Sequence, residues 1–167
     1  FKFATDNNNG AGWPIKILFD MFGAKDKMTV YQGTTAGSMG RTLAGTGVAG
    51  TLSQLTSTDK TEYNRIKTGS NNNQFSGIQP YTTHGNGFVK ENGKLSFTYY
   101  PANGQYITIK LEKDGSSSTA YNFAIVYPSD DGQPLQGSAT GVGNPSNNAN
   151  PGVTANGAGP YGNGFIP

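Results

Sequence analysis

The chain carries one histidine, no cysteine and 10 acidic residues, and these set the limits of its chemistry. His84 lies in Tyr81-Thr82-Thr83-His84-Gly85-Asn86-Gly87, a polar turn sequence. A Ser-His-Asp arrangement through it would call for a serine on a strained Gly-x-Ser-x-Gly elbow, and the sequence has none. A lone histidine cannot build a multi-histidine metal site, and without cysteine there are no thiol nucleophiles, disulfides or zinc knuckles. The acids are Asp6, Asp20, Asp26, Asp59, Glu62, Glu91, Glu112, Asp114, Asp130 and Asp131. Nearly all fall in or beside predicted turns, where solvated carboxylates are ordinary. Glycoside hydrolysis requires two of them facing each other in a cleft, and no pair stands out in the sequence. The expectation is a protein that is not an enzyme.

Two binding chemistries remain. Asp6-Asn7-Asn8-Asn9-Gly10 offers side-chain oxygens at alternate positions before a glycine, a reduced form of a calcium loop. Asp6 and Asn8 would be its ligands, and Asp26, or Asp130 with Asp131, could complete the shell. The plainer reading is an Asx-turn linker. Aromatic residues raise the second chemistry, since sugar rings stack on exposed aromatic faces. Trp13, Tyr31, Tyr81 and Tyr100 are the candidates for holding a surface polysaccharide, although strand aromatics also serve cross-strand packing. Trp13-Pro14 is expected to anchor the first long strand. Nucleic acid is not an expected partner: the 12 basic residues are scattered singly, and the net charge is +2.

Strands must position these residues, because period-two alternation organises the chain. Ile15, Ile17 and Phe19 alternate with Lys16, Leu18 and Asp20, and Met28 and Val30 alternate with Thr29 and Tyr31. The same rhythm runs through Leu95, Phe97 and Tyr99, through Ile107, Ile109 and Leu111, and through Tyr121, Phe123, Ile125 and Tyr127. Weaker strands are expected near 48–55, 61–67, 74–79 and 87–90. Turn residues separate the segments, and Asn92-Gly93 and Asn103-Gly104 read as type I′ hairpin turns. No segment combines a cap with a sustained 3.6-residue period. Short strands at such spacing predict an all-β fold, a single β-sandwich or jelly roll. It would span residues 13–131, between an amino-terminal strand and tether (1–12) and a Gly/Asn/Pro-rich tail (132–167).

Lys27 to Ala44 reads Lys-Met-Thr-Val-Tyr-Gln-Gly-Thr-Thr-Ala-Gly-Ser-Met-Gly-Arg-Thr-Leu-Ala. Leu95 to Tyr127 reads as a strand, then Ala-Asn-Gly-Gln-Tyr-Ile-Thr-Ile, a Ser-rich turn, and Tyr-Asn-Phe-Ala-Ile. This succession resembles the jelly-roll modules of CUB and bacterial pre-peptidase C-terminal type. The resemblance implies an extracellular sandwich; the disulfides common in CUB modules have no counterpart in a chain without cysteine.

The ends point to a function. Phe1 and Phe3 flank Lys2 in a short alternating unit on an Asn/Gly tether, suited to pairing with an open sheet edge. The tail has few apolar side chains, Phe165 and Ile166 among them, to offset an ordering cost of about 1 kcal/mol or more per residue. To be ordered it must be held by its own domain or by a neighbouring subunit. A start at Phe1 reads as an end left by signal-peptide removal, so secretion to the cell surface is expected. No run of 18 apolar residues predicts a membrane-spanning helix. Charged residues make up 13% of the chain, about half the usual share. Together these features predict an extracellular structural subunit whose partner is itself, a homopolymer built by strand exchange into a filament, tube or matrix. The alternative is a carbohydrate-binding or adhesive surface module.

Overall fold

The structure is a computed structural model that describes residues 10–61, 79–115, 121–126, 139–143 and 154–157. Two antiparallel sheets form an all-β sandwich. The strands are β1 (Trp13–Asp20), β2 (Asp26–Gly33), β3 (Arg41–Gly45), β4 (Leu52–Ser53), β5 (Thr82–Thr83) and β6 (Val89–Lys90). They continue with β7 (Asn92–Tyr99), β8 (Tyr106–Lys113), β9 (Tyr121–Val126), β10 (Ala139–Gly143) and β11 (Thr154–Gly157). The first sheet has the order β11-β10-β9-β1-β7-β4. In the second, β2 is the spine. Strand β8 pairs with it from Asp26 to Gly33, while β3 and the shorter β6 share its other side and β5 lies beyond β6.

The alternation in the sequence becomes one core. Ile15, Ile17 and Phe19 of β1, Leu95 and Tyr99 of β7, and Tyr121, Phe123 and Ile125 of β9 face Met28 and Val30 of β2, Ala44 of β3 and Ile107 of β8. Strand β1 pairs on both sides, with β7 and with β9. Pro14 opposes Thr98 and lies beyond Lys16↔Val126, the last registered pair with β9, so its missing N–H removes no bond from that ladder. The outward face of β1 is closed as well, since Leu18 and Asp20 are fully buried. Strict alternation predicts a half-solvated strand; burial of both faces is the property of a central strand.

The short elements depart from expectation. The stretch 48–55 yields only the two residues of β4, after a turn in which Thr51 N–H donates to the Val48 carbonyl. The expected strands at 61–67 and 74–79 lie almost wholly outside the described residues. Neither Asn-Gly pair makes a hairpin. Asn92-Gly93 opens β7, because Glu91 takes the left-handed turn (φ 64°) and the Asn92 side chain accepts the Gln79 N–H instead. Asn103-Gly104 closes a 3-10 turn, Pro101–Asn103, that crosses from one sheet to the other. Gly87 (φ 81°) is required at the 84–88 turn: a Cβ there would stand 2.6 Å from the Gly47 backbone.

Polar groups bracket the apolar centre of β2. At one end Gln32 is buried, and its Nε2 donates to the carbonyls of Tyr100 (2.7 Å) and Gly104 (2.8 Å), tying β2 to the turn between β7 and β8. At the other end Asp26 is buried at 1% exposure. Burial pushes the Tyr121 phenol up to about 12, and the Asp26 charge adds to the shift. The Tyr121 hydroxyl has no hydrogen-bond partner among the described residues. Removing an unsatisfied buried hydroxyl costs little or stabilises. Tyr121→Phe is therefore expected to leave the denaturation midpoint unchanged or raised, whereas Ile17→Ala loses about 2–5 kcal/mol. Chemical denaturation of both variants decides; a loss above about 1 kcal/mol for Tyr121→Phe would show that the hydroxyl is satisfied.

Candidate functional site

The most perturbed carboxylate is one that sequence reasoning placed among ordinary solvated turn acids. Asp59 is 1% exposed. It sits in a single helical turn, 57–61, that begins with a reciprocal cap. The Thr56 N–H and hydroxyl each donate to Asp59 Oδ2 at 2.8 Å, and the Asp59 N–H donates to Thr56 Oγ1 at 3.2 Å. From there the carboxylate meets the outer face of the first sheet. Lys16 Nζ of β1 donates to Oδ1 at 2.6 Å, and Lys94 Nζ of β7 donates to Oδ2 at 2.5 Å. Burial raises the carboxyl's pKa, but the two lysines and Thr56 outweigh it and hold the group well below the usual carboxylate range. A carboxylate so held is ionised and fully engaged, which makes it a poor proton donor or acceptor near neutrality. It acts as a clamp that closes the loop after β4 onto β1 and β7. Thr56-Ser57-Thr58-Asp59 is the capping-box signal that could have revealed the turn.

The sequence-based site residues are dispersed. Asp26, a proposed calcium ligand, points into the sandwich beside Tyr121; Asp6, Asn8, Asp130 and Asp131 lie outside the described residues. Among the described residues no cluster of three or more His, Cys, Asp or Glu side chains could hold a metal. Trp13 and Tyr81 are half-buried and pack on the core, and the Gln54 amide holds both the N–H and the carbonyl of Tyr81. Tyr31 lies on the outer face of the second sheet, opposite Thr108 on one side and Thr42 on the other. Tyr100 is exposed at the end of β7. The four aromatics do not form one platform. His84 is exposed in a turn, its Nε2 3.1 Å from the Thr82 hydroxyl. A half-open cleft of about 110 Å³ between Gln54, Leu55, Lys60, Gln79, Pro80 and Asn92 lies beside the clamp.

The edges of the first sheet are its least finished parts. Strand β4 covers β7 only at Lys94 and Leu95, and Ser96 N–H still reaches the Thr51 carbonyl. Thr98, next in the same orientation, turns its backbone groups away from β1, toward the side from which the chain enters β4 and where β3 runs close to β7. Phe97 faces inward between the buried Leu95 and Tyr99, yet it is only half-buried. At the opposite side β10 and β11 continue the sheet beyond β9. They come from the Gly/Asn/Pro-rich tail and read Ala-Thr-Gly-Val-Gly and Thr-Ala-Asn-Gly, with Val142 the one branched apolar residue. The assembly candidates Phe1, Phe3, Phe165 and Ile166 lie outside the described residues.

No protein-family model, curated protein or solved structure matches this chain, so the likeness to CUB and pre-peptidase C-terminal modules rests on its strand pattern alone. No helix among the described residues is long and apolar enough to cross a membrane.

The clamp predicts a specific acid response. The carboxyl of Asp59 is held below its ordinary value of 3.8, so its contribution is complete above that pH and is lost as the pH falls below it. Asp59→Asn, which leaves two lysines facing each other, is expected to cost about 3 kcal/mol at pH 7. It also flattens the stability profile below about pH 4, where carboxylates protonate. Denaturation midpoints measured from pH 2 to pH 7 check both; parallel acid profiles for variant and parent would contradict the clamp.

Proposed function

We propose that this protein is an extracellular structural subunit that self-assembles into a filament, tube or matrix by exchange of strands between sandwiches. One observation carries the reading. The larger sheet is closed at neither side by a strand with a substantial apolar face of its own. A strand added mainly through backbone bonds makes the same bonds to its own sheet or to an identical sheet in a neighbour, which is the physical basis of exchange. The connection 127–138 between β9 and β10 can span on the order of 40 Å when extended, enough to reach an adjoining molecule. The low charge, 13% of residues, reduces repulsion between copies. On this reading the site performs no catalysis.

A second reading, an adhesive module for surface polysaccharide, draws on Tyr31. Its ring lies on an outer sheet face flanked in register by Thr42 and Thr108, hydroxyl side chains that could bond sugar oxygens.

Negative-stain microscopy and pelleting across a concentration series test the first reading. Regular polymers are expected from the full chain, and fewer from a variant lacking 132–167, with folded domains in both. A persistent monomer at high concentration, with and without calcium, would sink it. Polysaccharide retention by that monomer, lost on Tyr31→Ala, would establish the second reading instead.

A further inference from the structure

We propose that strand β8 is the seat of the chain's own first residues: residues 1–5 add to its outer edge as an antiparallel strand and extend the second sheet. The assignment concerns a single copy and does not depend on the assembly reading above.

Strand β8 is eight residues long and pairs with β2 on one side; among the described residues no other strand runs along it. The core shows the same gap. Ile109 and Leu111 are opposite Val30 and Met28 on the inward face, yet they are only partly buried, while Val30 and Met28 are fully buried. What distinguishes the two pairs is the outer flank of β8. The other sheet extends past that flank. Strand β3 runs close to β7, so β8, across β2 from β3, is on the side of β9, where the first sheet continues through β10 and β11. A strand added to β8 would lie opposite β10, whose residues in register with the inward Ile125 and Phe123 are Ala139 and Gly141. Small residues there suit large side chains on the strand that faces them.

Residues 1–5 read Phe-Lys-Phe-Ala-Thr. In a strand Phe1 and Phe3 share one face and Lys2 and Ala4 the other. With Phe3 opposite Leu111, the rings take the inward face at the partly filled edge of the core. Lys2 is then opposite Glu112 on the outer face, an attractive cross-strand pair. A register shifted by two residues would set Lys2 against Lys110, a like-charge pair. Other segments of the chain fit less well. Pro128 and Pro134 interrupt 127–138, and Phe165 and Ile166 are adjacent, so they would point to opposite faces of a strand.

Direction and reach favour the chain's own end. Strand β1 begins opposite Tyr99, and a Cβ on Gly12 would stand 2.6 Å from the Thr98 methyl group and 2.8 Å from the Tyr100 ring. The Tyr100 carbonyl in turn accepts from Gln32, the residue opposite Ile107 near the start of β8. The chain before β1 is therefore at the end of the sandwich where β8 begins. Residues 1–5, laid back along β8 from there, run antiparallel to it, the slightly more stable arrangement. Gly10 and Gly12 both have positive φ, 81° and 76°, which lets the chain bend at two points in between. By ordinary strand and sheet spacings the way from β1 to a strand beyond β8 is about 14 Å. Asn7 to Gly12 spans up to about 17 Å when extended.

A chain without cysteine makes the test direct. Lys2→Cys and Glu112→Cys are combined in one chain, which is oxidised mildly in dilute solution and read by peptide mapping and non-reducing denaturing electrophoresis. Most chains are expected to carry a disulfide between positions 2 and 112 and to migrate as monomers. The yield should fall several-fold when Phe1 and Phe3 are both replaced by Ser. It should fall as far when the acceptor is Thr42→Cys, on β3 across β2 from β8 and beyond disulfide reach of the added strand. A link between positions 2 and 112 confined to dimers would give the strand to a second copy and overturn the assignment, whatever becomes of the assembly reading. No link, or an equal yield with Thr42→Cys, would overturn it as well.

Discussion

Strand β1 is buried on both faces, and the rest of the sandwich is arranged around that fact. Its inward residues, Ile15, Ile17 and Phe19, are at the centre of the core. Its outward residues include Lys16 beside the fully buried Leu18 and Asp20. A lysine at a covered face is unfavourable unless its charge is answered. Asp59 answers it, together with the lysine of the neighbouring strand β7, and so fixes the loop after β4 against the sheet. The charge cluster and the closure of the outer face are the same event.

A strongly determined centre contrasts with weakly determined sides. Strands β1, β2, β7 and β9 hold most of the large buried side chains, while β4 has two residues and β10 and β11 consist mainly of Gly, Ala, Thr and Asn. Hydrophobic stabilisation scales with apolar area removed from water, so detaching an edge strand loses little of what holds the domain together. Such a domain would keep its core if an edge strand were detached. That asymmetry links the fold to the proposed assembly.

The long strands were legible in the sequence because each carries its own face: the alternation of Ile107, Ile109 and Leu111 is written locally. The short ones were not. Strands β5 and β6 pair through Thr82↔Lys90 and Thr83↔Val89, a match set by where β2 and β7 place them. Asn92-Gly93 misled for a related reason, since a hydrogen bond from Gln79 outweighed its local turn preference. The Asp59 clamp was half legible. Its Thr-x-x-Asp cap is local, but Lys16 and Lys94 stand 43 and 35 residues away in the chain, and only the folded sheet brings them to one carboxylate. The tail gave no strand signal because β10 is specified by the backbone of β9 and by little in its own side chains.

The central claim is the proposal that copies of this chain exchange edge strands of the larger sheet. Hydrogen exchange resolved to single amides, compared between dilute and assembled protein, measures this most directly. The amides of β10 should exchange rapidly when dilute and become protected on assembly, while the amides of β1 stay protected throughout. Amides of β10 equally protected in dilute and in concentrated protein would contradict the account.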